Sequence, residues 1–325
     1  MSNNVYLVWL EWPEKCFRID AEALRYLKTV VPRGSRVVRV RSKAAFLRAL
    51  PRATHAIVWE FESGWFAQAP RLRLLATPAA GQELLPTEGP KGVRIHFGHY
   101  HGAIIAESVA GFMLAWSKGF FAVRHAPKSC RAWPRAWLAD RCFDVAGTKA
   151  VIAGYGHVGR TIGAMLEALG VEVAGITRHG ICRQGKAKDP LPASTSNLDR
   201  LLSSADWFVL ALPSTTGTDN FLNASLIRKL PRRCVVINVG RGNAVDERAL
   251  VAALKAGRLA GAYLDVCRCE KSQIWAKSAE ARKTGVIDPA NPDDVPNLVL
   301  MPHAAAFSSR YIRMSLQELK DDGCL

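Results

Sequence analysis

The chain lacks the features that would mark a membrane, secreted or metal-ribbon protein. None of its apolar runs reaches the ~18 uninterrupted residues that a membrane helix needs; the most apolar stretch, 102–116, carries Glu107 in its middle. The opening apolar run, 5–10, is short and meets Glu11 and Glu14 at once, so it does not read as a signal peptide. Eight cysteines are present, yet no two form a C-x-x-C pair, and several sit inside apolar runs, as Cys234 does in Cys-Val-Val-Ile. They read as reduced structural thiols of a cytoplasmic protein, and no membrane association is expected. Internal repeats and low-complexity tracts are lacking as well. Acidic residues are the scarce charge: 28 Asp+Glu against 44 Lys+Arg leave a net charge of +16. The excess is diffuse, with no run of five or more cations, and densest over 33–43 and 178–188. Nucleic-acid binding usually gathers its cations into a patch or tail, so this balance points to a solvated basic surface that favours anionic small molecules.

What is there is an alternation of strand and helix patterns in a chain of 325 residues, about two domains' worth. Short runs rich in Val, Ile, Leu and aromatics predict strands over 5–10, 36–40, 54–60, 72–77 and 93–97. Helical spacing over 20–31 and 42–50 lies between them, each segment opened by a capping residue and closed before a proline. A long helical pattern over 103–124 and an irregular stretch with Trp133, Pro134 and Trp137 lead to a second set of strands. These are expected over 149–153, 171–176, 206–212, 234–239, 261–266 and 298–301. A helix over 249–255 is bounded by Asp246 and Gly257. The fold class is therefore α/β, with two Rossmann-like domains built on doubly wound parallel sheets.

At the end of the strand over 149–153 the chain reads Gly154-Tyr155-Gly156-His157-Val158-Gly159 and continues into a helical pattern. A G-x-G-x-x-G between strand and helix is the context in which that motif binds a dinucleotide. Gly154 allows the tight turn, Gly156 lets a pyrophosphate approach the backbone, and Gly159 permits close helix–strand packing. The helix start adds free amides and a positive dipole. At the end of the next strand, where an acid usually receives the ribose 2′-hydroxyl of NAD, stand Thr177, Arg178 and His179. Without a carboxylate there is no repulsion of a 2′-phosphate, and an arginine offers it a forked donor. NADP(H) is therefore the expected cofactor; the alternative is a solvated Arg178 and use of NAD(H) as well.

Three further residues follow predicted strands: Arg241 in Asn-Val-Gly-Arg-Gly, Glu270, and His303 in Met-Pro-His-Ala. Ligands of such sheets bind at the strands' carboxyl ends, so the three can converge on one crevice. Singly they would read as a surface arginine, a solvated glutamate and a buried histidine; together they read as a set. Here the sequence resembles the D-isomer-specific 2-hydroxyacid dehydrogenases, of glyoxylate/hydroxypyruvate reductase type. The resemblance runs through Thr77-Pro-Ala-Ala-Gly81, Ile105-Ala-Glu107, the glycine turn and Leu210-Ala-Leu-Pro213. It continues through Ile237-Asn-Val-Gly-Arg-Gly-Asn-Ala-Val-Asp246, Ala260-Gly-Ala-Tyr-Leu-Asp265 and Pro302-His303.

The resemblance implies a substrate domain of flavodoxin type, residues 1–103 and 304–325, a dinucleotide-binding domain, 104–303, and an active site in the interdomain cleft. Arg241 would bind the substrate carboxylate, helped by amides near Ala80 and Gly81. His303 would exchange the proton and Glu270 would hold His303 protonated. Asp265 would meet the nicotinamide carboxamide, with Leu212, Pro213, Thr218, Val239 and Gly240 lining the cofactor. The substrate would be a small 2-oxo or D-2-hydroxy acid, no metal is implied, and a homodimer would form around the long helix and the Trp133–Trp137 stretch. Departures from the family pattern are also visible. Arg268 and Lys271 flank Glu270 and can compete with His303 for its carboxylate; Glu83 stands where an aspartate is usual; the loop over 271–296 is long. Two rivals stay open: a cofactor-sensing regulator of corepressor type, kept alive by the basic charge, and a dehydrogenase of a phosphorylated hydroxy acid.

Overall fold

Runs of four or five apolar residues become parallel strands wherever both faces are covered, and that rule builds two sheets. The structure is a computed structural model that describes residues 4–82, 84–130, 132–183, 195–268, 287 and 294–325. The chain divides into two compact units, Met1–His101 with Phe307–Leu325, and Gly102–Ala306.

In the first unit β1 (Val5–Trp9), β2 (Arg36–Arg39), β3 (His55–Val58), β4 (Leu74–Thr77) and β5 (Arg94–Phe97) pair in the order β2-β1-β3-β4-β5. Every pairing is parallel. The connecting helices α1 (Ala21–Val30) and α2 (Lys43–Ala49) begin where expected, because Asp20 and Ser42 accept the amides of Ala23 and Ala45. β4 is buried at all four positions, whereas the edge strands β2 and β5 are partly exposed. The edges carry Arg36, Arg39 and Arg94, cations that discourage pairing with another chain. Some of the basic excess therefore has a structural place, and Arg39 also pairs with Glu11 at 2.8 Å. The C-terminal helix (Tyr311–Asp321) belongs to this unit and buries Tyr311, Ile312, Leu316 and Leu319. The Tyr26 hydroxyl donates to its Gln317 at 2.5 Å.

The second unit opens with α3 (His101–Ser117), which ends seven residues before the helical pattern does. Gly119 stops it: at φ 72° it adopts a left-handed conformation, while Phe120 N–H returns to the Ala115 carbonyl. After a short α4 (Arg135–Ala139) come β6 (Lys149–Ala153), α5 (His157–Ala168), β7 (Glu172–Thr177) and β8 (Gly180–Arg183). They are followed by α6 (Thr195–Ser203), β9 (Trp207–Leu210), α7 (Ala224–Lys229), β10 (Val235–Asn238), α8 (Glu247–Lys255), β11 (Gly261–Leu264) and β12 (Leu298–Leu300). The sheet order is β12-β11-β10-β9-β6-β7-β8. All pairings are parallel except β7 with β8, an antiparallel hairpin absent from the sequence expectation. Its two-residue turn, Arg178-His179, is closed by Thr177, whose hydroxyl accepts the His179 amide and donates to the Gly180 carbonyl.

β9, β10 and β11 are buried at every position, as strands covered on both faces must be. Successive residues alternate between two cores. Ile152, Trp207, Val209, Ile237 and Tyr263 pack on one face with Met113 of α3, and Val151, Phe208, Leu210, Val236 and Leu264 on the other with Leu250 of α8. No helix among the described residues is long and apolar enough to cross a membrane. Of the seven described cysteines four are buried; burial pushes the Cys234 thiol well up, in keeping with an inert structural role.

His55 in β3 stacks on Tyr6 at 4.2 Å, and burial together with Arg73 lowers its pKa to about 4. The folded state resists a proton that the unfolded chain takes up near pH 6.5, so His55 favours folding above that pH and its contribution declines on acidification. Urea unfolding should lose about 1 kcal/mol from this source between pH 6.5 and 5, allowing for solvent screening. His55→Asn should flatten that slope.

Candidate functional site

The carboxyl edge of the second unit's sheet is where its loops touch as bare backbone. At Gly154, φ 91°, a Cβ would lie 2.5 Å from the Ala211 carbonyl oxygen beyond β9. At Gly159 it would run into the Gly154 carbonyl, so α5 crosses hard against the turn. Gly156 is different: a Cβ there would meet nothing within 4 Å, and the residue is exposed. The turn is thus tight on its inner side and open on its outer side, the shape a pyrophosphate requires. No side chain caps α5 and no acid lies in its first turn, which leaves the positive helix end, at His157 and Val158, to an anion. Tyr155 is buried, with its ring over Gly163 and Gly175, so only its backbone faces the turn. These features fit a dinucleotide.

The other cofactor positions line the same edge. Arg178 and His179 are exposed at the tip of the β7–β8 hairpin, while the Thr177 hydroxyl is engaged in closing the turn. Beyond β9, Leu212 is half-buried and Pro213 exposed, and the Thr218 hydroxyl donates to the Pro213 carbonyl at 2.6 Å. Val239 and Gly240 follow β10; a Cβ on Gly240 would lie 2.6 Å from both the amide nitrogen and the carbonyl oxygen of Leu212.

Arg241 and His303 leave the carboxyl ends of β10 and β12, on either side of β11, and each is held by a buried side chain. Asn238 accepts the Gly240 amide at 3.1 Å and donates to the Arg241 carbonyl at 3.2 Å, fixing the turn from which the half-buried Arg241 projects. Asp265, just past β11, accepts the amides of Ala304 and Ala305 on one carboxylate oxygen at 2.8 and 2.9 Å, and its own carbonyl accepts the His303 amide at 2.8 Å. The Tyr263 hydroxyl also bonds to Asp265, and burial, with that carboxylate beside it, pushes its pKa up. Ser108 of α3 also donates to the Ala305 carbonyl at 2.8 Å. Within this grip His303 stands exposed at φ 56°, a left-handed conformation uncommon outside glycine, though less so for asparagine, aspartate and histidine than for other residues. The positioning roles of Asn238 and Asp265 escaped the sequence reading. Their signal was a polar residue at the end of an otherwise apolar strand.

Glu270, Lys271 and Glu83 lie outside the described residues, as does nearly all of 271–296. Arg268, expected to compete for Glu270, has several partners among the described residues. Its amide donates to Glu247 at 2.7 Å, and its guanidinium reaches Asp219 at 3.0 Å, Asn220 at 2.6 Å and the Asn243 carbonyl at 2.7 Å. The loop bearing Arg241 also packs there, since a Cβ on Gly242 would overlap the Cys267 backbone. Ala80 and Gly81 lie in the first unit beyond β4, Ala80 exposed, in a loop where the Ala79 carbonyl accepts the Gly98 amide at 2.9 Å.

Residues 110–305 match the model of the NAD binding domain of D-isomer specific 2-hydroxyacid dehydrogenases. A glycerate dehydrogenase of Methylorubrum extorquens is 30% identical over 264 residues, 78% of this chain and 76% of that protein. A glyoxylate reductase of Thermococcus kodakarensis is 28% identical over 73% of this chain and 70% of its own length. Among solved structures, an NAD-complexed D-isomer specific 2-hydroxyacid dehydrogenase from Lactobacillus delbrueckii ssp. bulgaricus aligns over 98% of this chain and 96% of its own. Its TM-score is 0.74 and its identity 18%, a likeness of fold.

Replacing Asp265 with alanine removes the acceptor from two adjacent amides, one of them buried, and should lower unfolding free energy by about 2–4 kcal/mol. Asp265→Asn, which keeps one acceptor oxygen, should cost about half as much; chemical denaturation of both variants measures the difference.

Proposed function

The chain belongs to the D-isomer specific 2-hydroxyacid dehydrogenase family, and on that premise we propose that it reduces a small 2-oxo acid, of glyoxylate or hydroxypyruvate type, to the D-2-hydroxy acid with NADPH. The observation that carries this reading is the placement of Arg241 and His303 on loops held by Asn238 and Asp265 at the carboxyl ends of β10 and β12. The Gly154–Gly159 turn and the start of α5 would hold the pyrophosphate, with Val239, Gly240 and the Pro213–Thr218 loop beside it. A bound nicotinamide supplies the hydride.

Arg241 presents a forked donor to the substrate carboxylate, which selects a 2-oxo acid over a simple ketone and orients its oxo group. His303 gives a proton to the oxo oxygen as the carbon is reduced, and takes it back in the reverse direction. Glu270 is assigned the carboxylate that keeps the imidazole protonated and oriented. Asp265 acts through the backbone of His303, in addition to the carboxamide contact that the family pattern gives it. The exposed Arg178 and His179 and the lack of a carboxylate after β7 support a preference for the 2′-phosphate. A second copy of the chain is taken to cover the surface around Phe120 and Trp133, which are 68% and 81% exposed; sedimentation at twice the chain mass checks it.

Purified protein mixed with glyoxylate or hydroxypyruvate should consume NADPH faster than NADH. His303→Ala should lower turnover by about 10²–10⁴-fold, the usual share of a general acid. Arg178→Ala should raise KM for NADPH about tenfold with little change for NADH, the effect of losing one charged hydrogen-bond pair. A preference for NADH would overturn the cofactor assignment alone. No turnover across a broad panel of 2-oxo acids would overturn the reductase reading.

A further inference from the structure

The first unit holds a group of metal-ligating side chains that the reductase reading does not use. From the end of β5 the chain reads His96-Phe97-Gly98-His99. A Cβ on Gly98 would run into the Pro78 carbonyl and lie 2.9 Å from the Tyr100 ring, so glycine lets the chain bend closely enough to bring the two imidazoles together. Their centroids are 6.0 Å apart with the rings nearly perpendicular, at 88°. The C-terminal helix brings Glu318 to the same place. One ring nitrogen of His96, one of His99 and one carboxylate oxygen of Glu318 all lie within 4.8 Å of one another. Ligand atoms around a tetrahedral zinc ion are about 3.4 Å apart, so rotamer adjustment of the exposed His99 and half-buried Glu318 suffices to close the set.

The neighbouring hydrogen bonds are those of a prepared site. Both carboxylate oxygens of Glu318 lie 3.0 Å from the His99 amide, which fixes the carboxylate while leaving lone pairs on each oxygen. His96 is 7% exposed, and its Nε2 lies 2.9 Å from Asp322 Oδ2, one helical turn beyond Glu318. A carboxylate on one ring nitrogen is the arrangement that orients a metal-bound histidine and puts the proton on that nitrogen. The other nitrogen, Nδ1, is buried and has no hydrogen-bond partner among the described residues. We propose that His96, His99 and Glu318 bind a divalent transition-metal ion of zinc type, with Asp322 orienting His96. Two imidazoles and one carboxylate suit zinc, cobalt or nickel, and disfavour magnesium and calcium, which take oxygen ligands. The ion would clamp the loop after β5 to the C-terminal helix, both within the first unit, and so stabilise that unit.

The test uses the full chain, stripped with chelator and titrated with Zn²⁺ by calorimetry, and with Co²⁺ as an optical probe. One equivalent should bind and raise the Tm. Cobalt should give weak visible bands without the intense sulfur-to-metal absorption of a cysteine site. His99→Ala and Glu318→Gln, both at accessible side chains, should each weaken binding at least 30-fold, whereas His303→Ala should leave it unchanged. Unchanged affinity in both first-unit variants, loss of binding in His303→Ala, a thiolate spectrum, or no stoichiometric binding would each overturn the site. None of these readouts depends on catalytic turnover, so the failure of one reading leaves the other standing.

Discussion

The second unit depends on contacts that no side chain could survive. Along the carboxyl edge of its sheet, the loops after β6, β9, β10 and β11 touch through glycine backbone: Gly154 on Ala211, Gly240 on Leu212, Gly242 on Cys267. A methyl group at any of these points would force strands apart that the two buried cores hold together. The glycines therefore set how near the cofactor turn, the Arg241 loop and the chain beyond β11 can lie. They cost conformational entropy on folding, which the apolar burial on both sheet faces has to offset.

Just beyond the strand ends a few backbone bonds carry the ladder on, and two buried polar side chains add to them. Asn238 bonds both sides of the Gly240–Arg241 turn, and Asp265 gathers amides from the loop after β12. Bonds from amides to a buried carboxylate are stronger than those between neutral groups, so this loop is stiffer than its exposure suggests. A histidine mounted on it keeps its place while its ring remains accessible. Arg268 does similar work farther along, binding Asp219, Asn220 and Asn243 into one cluster.

The β/α alternation, the glycine turn and the strand-end placement of Arg241 and His303 were legible because each is written in local residue pattern. Hydrophobic period reports strands, and capping residues report helix starts, as at Asp20, Ser42 and Asp246. What escaped depends on neighbours distant in sequence or on a single residue's conformation. The β8 strand is short and lies among cations, and only its pairing with β7 makes it a strand. The pattern over 103–124 continues past Gly119, although the left-handed turn there ends the helix. The hold of Asp265 on the amides of Ala304 and Ala305 was not legible because those partners lie about forty residues on.

His303 occupies a backbone conformation in which an L-side chain is disfavoured by roughly 1–2 kcal/mol. Hydrogen bonds that Asp265 and Ser108 make with the residues that follow hold the loop in that conformation. The loop thus carries a local backbone cost at His303 that the hydrogen bonds to its neighbours offset.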